Sequence, residues 1–422
     1  MTNSILNNKP KISKNIVLKQ KENKVLLIDC EGVSYVTVSE NMAKFLLTLD
    51  GTKTVQQIIN ELKRNNDKML SERIILTLEK LYKLDIFQDG CKEIIEQKNT
   101  LNKVFFFNLT KKCNLECSYC YANAGINNKT EEKNLEFWKK QVIELREMNK
   151  KAEVFFTGGE ATLYKYFWQL AEFIKEKDIS LNLISNGTVL KTEDIENLKK
   201  YFTEIKISMD SLNENINSLT RGVGVLEKCK KFIDTLIEKG IKTSILVVVT
   251  QKNKNYLQEM QNYFENKAII KFQYMVKSGR ANGKDDFFLT PDEYYNALQK
   301  LNKKYEDFLF TVRKRKKVWC GMGKNFLSIE SNGLVYPCQN LHNKEFMLGD
   351  LNKQTLKEIF DKSPYKRMNV DNIDCCSSCE IKFFCGGACR ADAFYTTGNI
   401  LGKDPRCDDY FKKRYIHNMF NS

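Results

Sequence analysis

Residues 111–122 read KKCNLECSYCYA, a short polar stretch that places three cysteines, Cys113, Cys117 and Cys120, in one loop. A C-x3-C-x2-C spacing lets three thiolates of a single loop hold three corners of an iron–sulfur cube, so that the fourth iron has no protein ligand. An iron with a vacancy can bind and break a substrate molecule, which a fully ligated electron carrier cannot easily do. Taken alone, the loop also admits a zinc or ferredoxin-like reading. Directly before it lies VFFFNL (104–109), an apolar run that predicts a strand. The cysteines therefore sit at a strand's carboxyl end.

Around this loop, about 102–310, strand and helix patterns alternate. The strands expected after VFFFNL are EVFFT (153–157), LNLIS (181–185), IKIS (205–208), SILVVV (244–249) and IKFQYM (270–275). Apolar stripes between them predict helices: Leu135, Trp138, Val142 and Leu145; then Leu163, Tyr166, Leu170 and Phe173; then Leu226, Cys229, Ile233 and Leu236, which makes Cys229 core packing. Such alternation predicts parallel strands with crossover helices, an α/β sheet or partial barrel. These folds place active sites on loops at the carboxyl ends of strands. Four polar segments fall there. Thr157-Gly158-Gly159-Glu160 has glycines that let a ligand approach the backbone and a carboxylate that accepts from an ammonium. Ser185-Asn186-Gly187-Thr188 suits sugar hydroxyls, and Ser208-Met209-Asp210-Ser211 is similar in character. Arg221-Gly222 offers a clamp for a carboxylate. Each alone also fits an ordinary strand-to-helix turn; together they converge on one rim.

The flanking regions differ from this core. Up to about residue 95, KVLLID (24–29) and VSYVTVS (33–39) predict a strand hairpin turning at Glu31-Gly32. A short helix capped by Ser39 follows and closes at Asp50-Gly51. Thr54 and Gln57 form a capping box for VQQIINELKRN. A third helix over about 71–86 carries Ile74, Leu78, Leu81 and Leu84 on one stripe. The unit reads as a binding module, with Cys30 and Cys91 incidental. Thr290-Pro291-Asp292-Glu293 starts a helix at the end of the middle region. The last region, about 316–422, is dense in cysteine and poor in long apolar runs, so metal is expected to replace hydrophobic core there.

With 422 residues, 42% hydrophobic and 29% charged, the chain has room for two or three domains of ordinary globular composition. No apolar run is long enough to span a bilayer, and MTNSILNNKPKISKN lacks a signal peptide's apolar core, so a cytoplasmic protein is expected. Fourteen cysteines in a reducing compartment favour metal over disulfides. The net charge of +15 fits either a lysine-rich solvated surface or attraction to an acidic polymer. No basic-aromatic nucleic-acid signature accompanies it, and nucleic acid is not an expected partner. RKRKK (313–317) reads as a linker. His342 and His417, the two histidines, receive no role.

CNLECSYC, TGGE, SNGT and ISMD followed by TRG resemble, in this order, the radical S-adenosylmethionine (SAM) enzyme superfamily. The resemblance implies a partial (β/α)6 barrel whose Cys113, Cys117 and Cys120 bind a 4Fe–4S cluster, with SAM on the vacant iron. It implies that Tyr119 lies against the adenine and that Gly158, Gly159 and Glu160 hold the methionine amino end. Ser185, Ser208 and Asp210 are implied ribose contacts, and Arg221 a carboxylate contact. The last region, Cys320 through Gly333 to Cys338, then Cys376-x2-Cys379-x5-Cys385-x3-Cys389 and Cys407, resembles a SPASM domain with two auxiliary clusters. The resemblance gives Cys376, Cys379, Cys385 and Cys407 to the outer cluster, and Cys320, Cys338 and Cys389 to the inner one. A zinc ribbon would suit Cys376 and Cys379 but leave the others unexplained.

Two departures bear on function. Some relatives add a cysteine before the first one of this domain, but FTVRKRKKVW has none, so the inner cluster is expected either to have an open iron or to take Cys375. Anaerobic sulfatase-maturing enzymes carry an aspartate base where Gln339 stands here, and an amide cannot take that proton. VSYVTVSENMAKFLLTLDGTKTVQQIINEL resembles the winged-helix-like recognition element of ribosomal-peptide maturases, which binds a leader peptide as an added strand. A DNA-binding winged helix is the alternative. The expected organisation is 1–95 leader recognition, 102–310 radical SAM core and 316–422 SPASM. The implied function is a peptide maturase that uses three 4Fe–4S clusters and SAM to form thioether crosslinks, with a precursor peptide and a flavodoxin or ferredoxin as partners. Carbon–carbon crosslinking, sulfatase maturation and a non-catalytic electron carrier stand as alternatives.

Overall fold

The computed structural model describes residues 5–64, 68–83, 87, 103–301, 317–407 and 409–421. At the N-terminus β1 (Ile16–Lys21), β2 (Lys24–Asp29) and β3 (Ser34–Ser39) form an antiparallel sheet in that order. β1 is an addition to the expected hairpin; its IVLKQK lies at the sheet edge, largely out of the core, and so lacks a clean apolar alternation. Helices α1 (Glu40–Leu46), α2 (Val55–Arg64) and α3 (Lys68–Lys83) follow. The Ser39 hydroxyl accepts from the Met42 amide at α1, and Thr54 and Gln57 exchange bonds of 2.8 and 3.2 Å at α2. Period-two alternation splits this sheet between two cores. Val25, Leu27 and Val36 meet Leu46, Ile58, Ile74, Leu78 and Leu81 of the helices. Leu26, Ile28, Val33 and Tyr35 face the other way, onto the C-terminal region. Leu84 and Cys91 fall outside the described residues.

The middle runs β4 (Val104–Thr110), α4 (Leu135–Met148), β5 (Glu153–Gly158), α5 (Phe167–Glu176), β6 (Ser180–Ser185), α6 (Ile195–Tyr201), β7 (Glu204–Ser208), α7 (Glu214–Arg221), α8 (Val225–Glu238), β8 (Thr243–Val249), α9 (Leu257–Phe264), β9 (Ile269–Tyr274) and α10 (Pro291–Gln299). β4 to β9 pair in chain order and in parallel, a partial barrel. Phe105, Phe107, Val154, Phe156, Leu181, Leu183, Ile205, Ile207, Ile245 and Val247 join the helices in one core. The alternate residues form the opposite face, which is polar at its lower end. There Glu204 accepts from Ser244 and lies 3.3 Å from Lys271 and 3.6 Å from Lys206. The helix expected from Leu163, Tyr166, Leu170 and Phe173 begins only at Phe167 and buries Phe167, Leu170, Ala171 and Ile174. Residues 161–163 form a separate single turn capped by Glu160, which breaks the apparent period.

The C-terminal region is less independent than its composition predicts. β10 (Phe326–Ile329) pairs in parallel with β4, and β11 (Leu334–Tyr336) and β12 (Gly349–Asp350) extend that same sheet. Leu327, Ile329 and Val335, with Leu356 and Ile359 of α11 (Leu356–Asp361), belong to the barrel's core. α12 (Lys382–Cys385), α13 (Arg390–Thr397) and α14 (Asp409–Asn421) complete the chain, and Phe384, Phe411, Tyr415 and Met419 pack against β2 and β3. Among the described residues no helix is long and apolar enough to cross a membrane. The linker expected at RKRKK lies outside them apart from Lys317.

Candidate active site

The three-cysteine loop leaves β4 at Thr110 and is tied down from several sides. The Cys113 amide donates to the Gly125 carbonyl at 3.2 Å, and the Ser118 amide to the Thr220 carbonyl at 2.9 Å. Burial, together with Glu160, Cys117 and Cys120, pushes the Cys113 thiol up to about 11. Cys117 is likewise raised, first by burial and then by Cys120 and Asp210, against Arg221 and Arg280. The three thiols thus lie in one another's field. Cys113 and Cys117 resist ionising alone, a condition that bound iron would relieve by displacing the protons.

Gly158 and Gly159 serve the protein's own backbone. Gly158 has φ +122°, and a Cβ on it would stand 2.4 Å from the Thr110 carbonyl oxygen; on Gly159 it would stand 2.2 Å from that of Lys112. The Gly159 and Glu160 amides donate to these two carbonyls at 2.8 and 2.9 Å. At these glycines the cysteine loop approaches the β5 turn closely. Glu160 is fully buried, and its carboxylate accepts from Thr162, from Ser185 Oγ at 2.9 Å and from the Asn186 amide at 2.8 Å. Burial raises its pKa, and these donors oppose the shift. Together Glu160 and Ser185 lock the ends of β5 and β6. Asn186 continues the lock to Asn114 at 2.9 Å and to Cys113 Sγ at 3.7 Å.

Asp210 and Arg221 are each other's partner. Arg221 Nε donates to Asp210 Oδ2 at 3.0 Å, and its Nη2 donates to Tyr119 Oη at 2.7 Å. Asp210 further accepts from Tyr119 Oη, from Thr220 Oγ1 at 2.7 Å and from the Val248 amide at 3.3 Å. Both of its oxygens accept from protein donors. Burial disfavours the Arg221 charge, but Asp210, Tyr119 and Cys117 outweigh it and hold its pKa well above the ordinary value. Tyr119, between Cys117 and Cys120, is thereby fixed against Met275 and Ala281. Ser208, at the end of β7, remains half-buried with no hydroxyl partner among the described residues.

The C-terminal cysteines separate into two groups. Cys320, Cys338 and Cys389 surround Met322, Leu341, Phe346 and Ala391. Burial pushes Cys338 up to about 12, with Cys320 adding to the shift. Cys376, Cys379 and Cys385 lie in the core shared with β2 and β3. Burial raises Cys407 to about 11, with Cys375 and Cys379 adding. Cys375 is exposed with its Sγ 4.0 Å from that of Cys376, so it stands with the outer group and not as a replacement in the inner one. Buried Asp404 accepts from the Cys389 amide at 2.9 Å and is held by Arg406, which also bonds Asp392. Among the described residues no three such side chains are gathered around one point as a lone ion requires. A cube takes each thiolate on a different iron and holds them further apart.

Nine buried side-chain polar atoms among the described residues lack a partner, and five flank these cysteines: Ser118 Oγ, Ser278 Oγ, Arg280 Nη2, Trp319 Nε1 and Arg390 Nε. Buried orphan donors beside thiols fit groups rich in sulfur acceptors. Spacing did not single out Arg280; its signal was its place in the loop after the sixth expected strand, on the same rim as the others.

Residues 107–264 match the radical SAM superfamily, and residues 320–380 match the SPASM iron–sulfur cluster-binding domain. The chain thus carries a radical SAM domain followed by a SPASM domain, and it is an enzyme that uses SAM and multiple 4Fe–4S clusters. It is 27% identical over 343 residues to a cysteine-type anaerobic sulfatase-maturating enzyme of Clostridium perfringens, covering 71% of this chain and 91% of the relative. It is 24% identical to the antilisterial bacteriocin subtilosin biosynthesis protein AlbA of Bacillus subtilis, covering 79% and 78%. Native anSMEcpe with bound AdoMet shares the fold with a TM-score of 0.62 at 21% identity, covering 75% of this chain and 98% of that one. Streptococcus suis SuiB bound to S-adenosylmethionine gives 0.57 at 18% identity, covering 94% and 100%; SuiB has also been solved with its precursor peptide SuiA.

Proposed function

We propose that this enzyme matures a ribosomally made peptide by joining cysteine sulfur to carbon. The observation that carries the reading is the inner trio, Cys320, Cys338 and Cys389, gathered on one apolar cluster while Cys375 stands with the outer group. A trio leaves a position where a substrate thiolate can bind. In this reading Cys113, Cys117 and Cys120 hold the SAM-binding cluster, and Cys376, Cys379, Cys385 and Cys407 the outer auxiliary one. Bound there, cluster and SAM supply a carbon radical able to take hydrogen from an unactivated C–H bond. The chain's own part is positioning. Arg221 and Asp210 fix the Tyr119 ring as an adenine wall, the Ser208 hydroxyl faces the ribose, and the Gly158–Gly159 turn holds the cysteine loop beside the methionine end.

The N-terminal sheet and α1–α3 form the leader-binding unit (1–95), ahead of the core (102–310) and the SPASM region (316–422). A leader held there raises the local concentration of the core peptide at the barrel mouth. The charge of +15 suits an acidic leader and an acidic flavodoxin or ferredoxin in the cytoplasm. Two relatives support a peptide substrate: AlbA, named for subtilosin biosynthesis, and SuiB, solved with a precursor peptide. Gln339 argues against sulfatase maturation.

The test is anaerobic reaction of the reduced enzyme with a leader-bearing, cysteine-containing peptide. Each thioether removes a hydrogen atom from carbon, taken up as 5′-deoxyadenosine, and a proton from sulfur, with the remaining electron passing to the auxiliary cluster that would hold the thiolate. The peptide should lose two hydrogens and one alkylatable thiol per bond, with 5′-deoxyadenosine released. Two hydrogens lost with every thiol still alkylatable would replace the thioether reading with carbon–carbon bond formation.

A further inference from the structure

The loop after β9, Ser278-Gly279-Arg280, closes over the three-cysteine loop. Gly279 comes so near that a Cβ would stand 2.3 Å from the Cys120 carbonyl oxygen. The Arg280 amide donates to that carbonyl at 3.0 Å. Its guanidinium then spans the loop: Nε donates to the Cys117 carbonyl at 2.8 Å and Nη1 to the Ala124 carbonyl at 2.6 Å. The remaining nitrogen, Nη2, is flanked by these two, buried, and without a hydrogen-bond partner. Ser118 Oγ, within the loop, and Ser278 Oγ, two residues before the arginine, are orphaned too. A charged donor left buried and unpaired is costly, and natural proteins seldom leave one so. One charged donor and two hydroxyls left unpaired around a single loop indicate an acceptor there.

We propose that Arg280 contacts the cluster held by Cys113, Cys117 and Cys120, its Nη2 donating to a cluster sulfur or to the Cys117 thiolate. The inference rests on the assignment of that cluster to those cysteines. A cationic donor stabilises the more negative, reduced cluster, so Arg280 raises its reduction potential while its other nitrogens fix the loop. The arginine acts on the ease with which an electron enters, before any peptide is bound.

The first measurement needs no variant. Full-length enzyme grown with 15N-labelled arginine is loaded anaerobically and reduced, and the paramagnetic signal that responds to added SAM is examined for 15N hyperfine coupling. Coupling from arginine is expected, and Arg280→Lys should abolish it while keeping the charge. In a redox titration of the same signal, Arg280→Gln, which removes the charge, should lower the reduced-to-oxidised ratio at fixed potential about tenfold, or 59 mV for a one-electron couple. A SAM-responsive signal without arginine coupling in the parent overturns the assignment, as does an unchanged titration in a loaded variant. A parent without any SAM-responsive signal overturns instead the placement of the cluster on these three cysteines, and the arginine's role falls with it.

Discussion

Arg221→Met should show what joins the walls of the site. The substitution keeps much of the aliphatic bulk and removes the bonds of 3.0 Å and 2.7 Å to Asp210 and Tyr119. Asp210 is 1% exposed and Arg221 6%, so the stranded carboxylate cannot recover by hydration. Removing one partner of a buried pair costs about 3–5 kcal/mol. Part of that is softened by Thr220 and the Val248 amide, which still donate to Asp210. At about 2–4 °C per kcal/mol for a unit of this size, the unfolding midpoint should fall by roughly 6–20 °C. Asp210→Asn should cost less alone, because the amide keeps the shape and some of the bonds. In the double variant the two losses should fall short of additive by about 2 kcal/mol. The assay is thermal unfolding of metal-free, reduced protein followed by near-ultraviolet circular dichroism at one scan rate. A midpoint for Arg221→Met within a degree of the parent, or strict additivity in the double variant, would refute the claim that these groups form one buried unit.

Cys113→Ala should retain auxiliary iron but lose SAM cleavage, read as absent 5′-deoxyadenosine together with the loss of one cluster's iron. Gly159→Ala should displace the cysteine loop, since its Cβ would fall 2.2 Å from the Lys112 carbonyl oxygen. Overpacking of this kind costs about 1–3 kcal/mol, and slower iron loading into the SAM-binding site is the expected readout. Glu293, which closes the capping box of α10 and bonds Gln251 and Lys254, has its pKa lowered from 4.5 to about 2 by those partners. A carboxylate depressed on folding stabilises above its unfolded pKa and loses that contribution as pH falls through the folded one. Glu293→Gln should therefore flatten the decline of the urea midpoint between pH 4.5 and about 2, and an unchanged slope would count against the cap.

Strands were the most legible part of the chain. VFFFNL and SILVVV are nearly continuous apolar runs because parallel barrel strands are covered by helices on one face and partly filled on the other. The apolar period at Leu226, Cys229, Ile233 and Leu236 likewise matches the buried face of α8. Leu163 misled because a single capped turn preserves the spacing of a helix without continuing it. β10, only four residues of FLSI, carries too little pattern to reveal that it joins the barrel sheet. At the site, residue type did not reveal which protein groups each residue faces. A glycine that admits a ligand and one that admits a neighbouring backbone look the same in sequence. Asp210 and Arg221 also offered no sign that they satisfy each other, since that depends on how α7 folds back beside β7. Arg280 carries no spacing signal at all; its meaning comes from the carbonyls it reaches.

The face of the N-terminal sheet formed by Leu26, Ile28 and Tyr35 shares one core with Cys376 and Phe384. The seam is reinforced by Lys19 with Glu380 at 3.0 Å and Lys317 with Glu31 at 3.2 Å. Order on the two sides of this seam is thermodynamically linked, so whatever tightens the outer cysteine group also tightens the sheet. A chain made during iron scarcity would therefore carry a slackened N-terminal sheet.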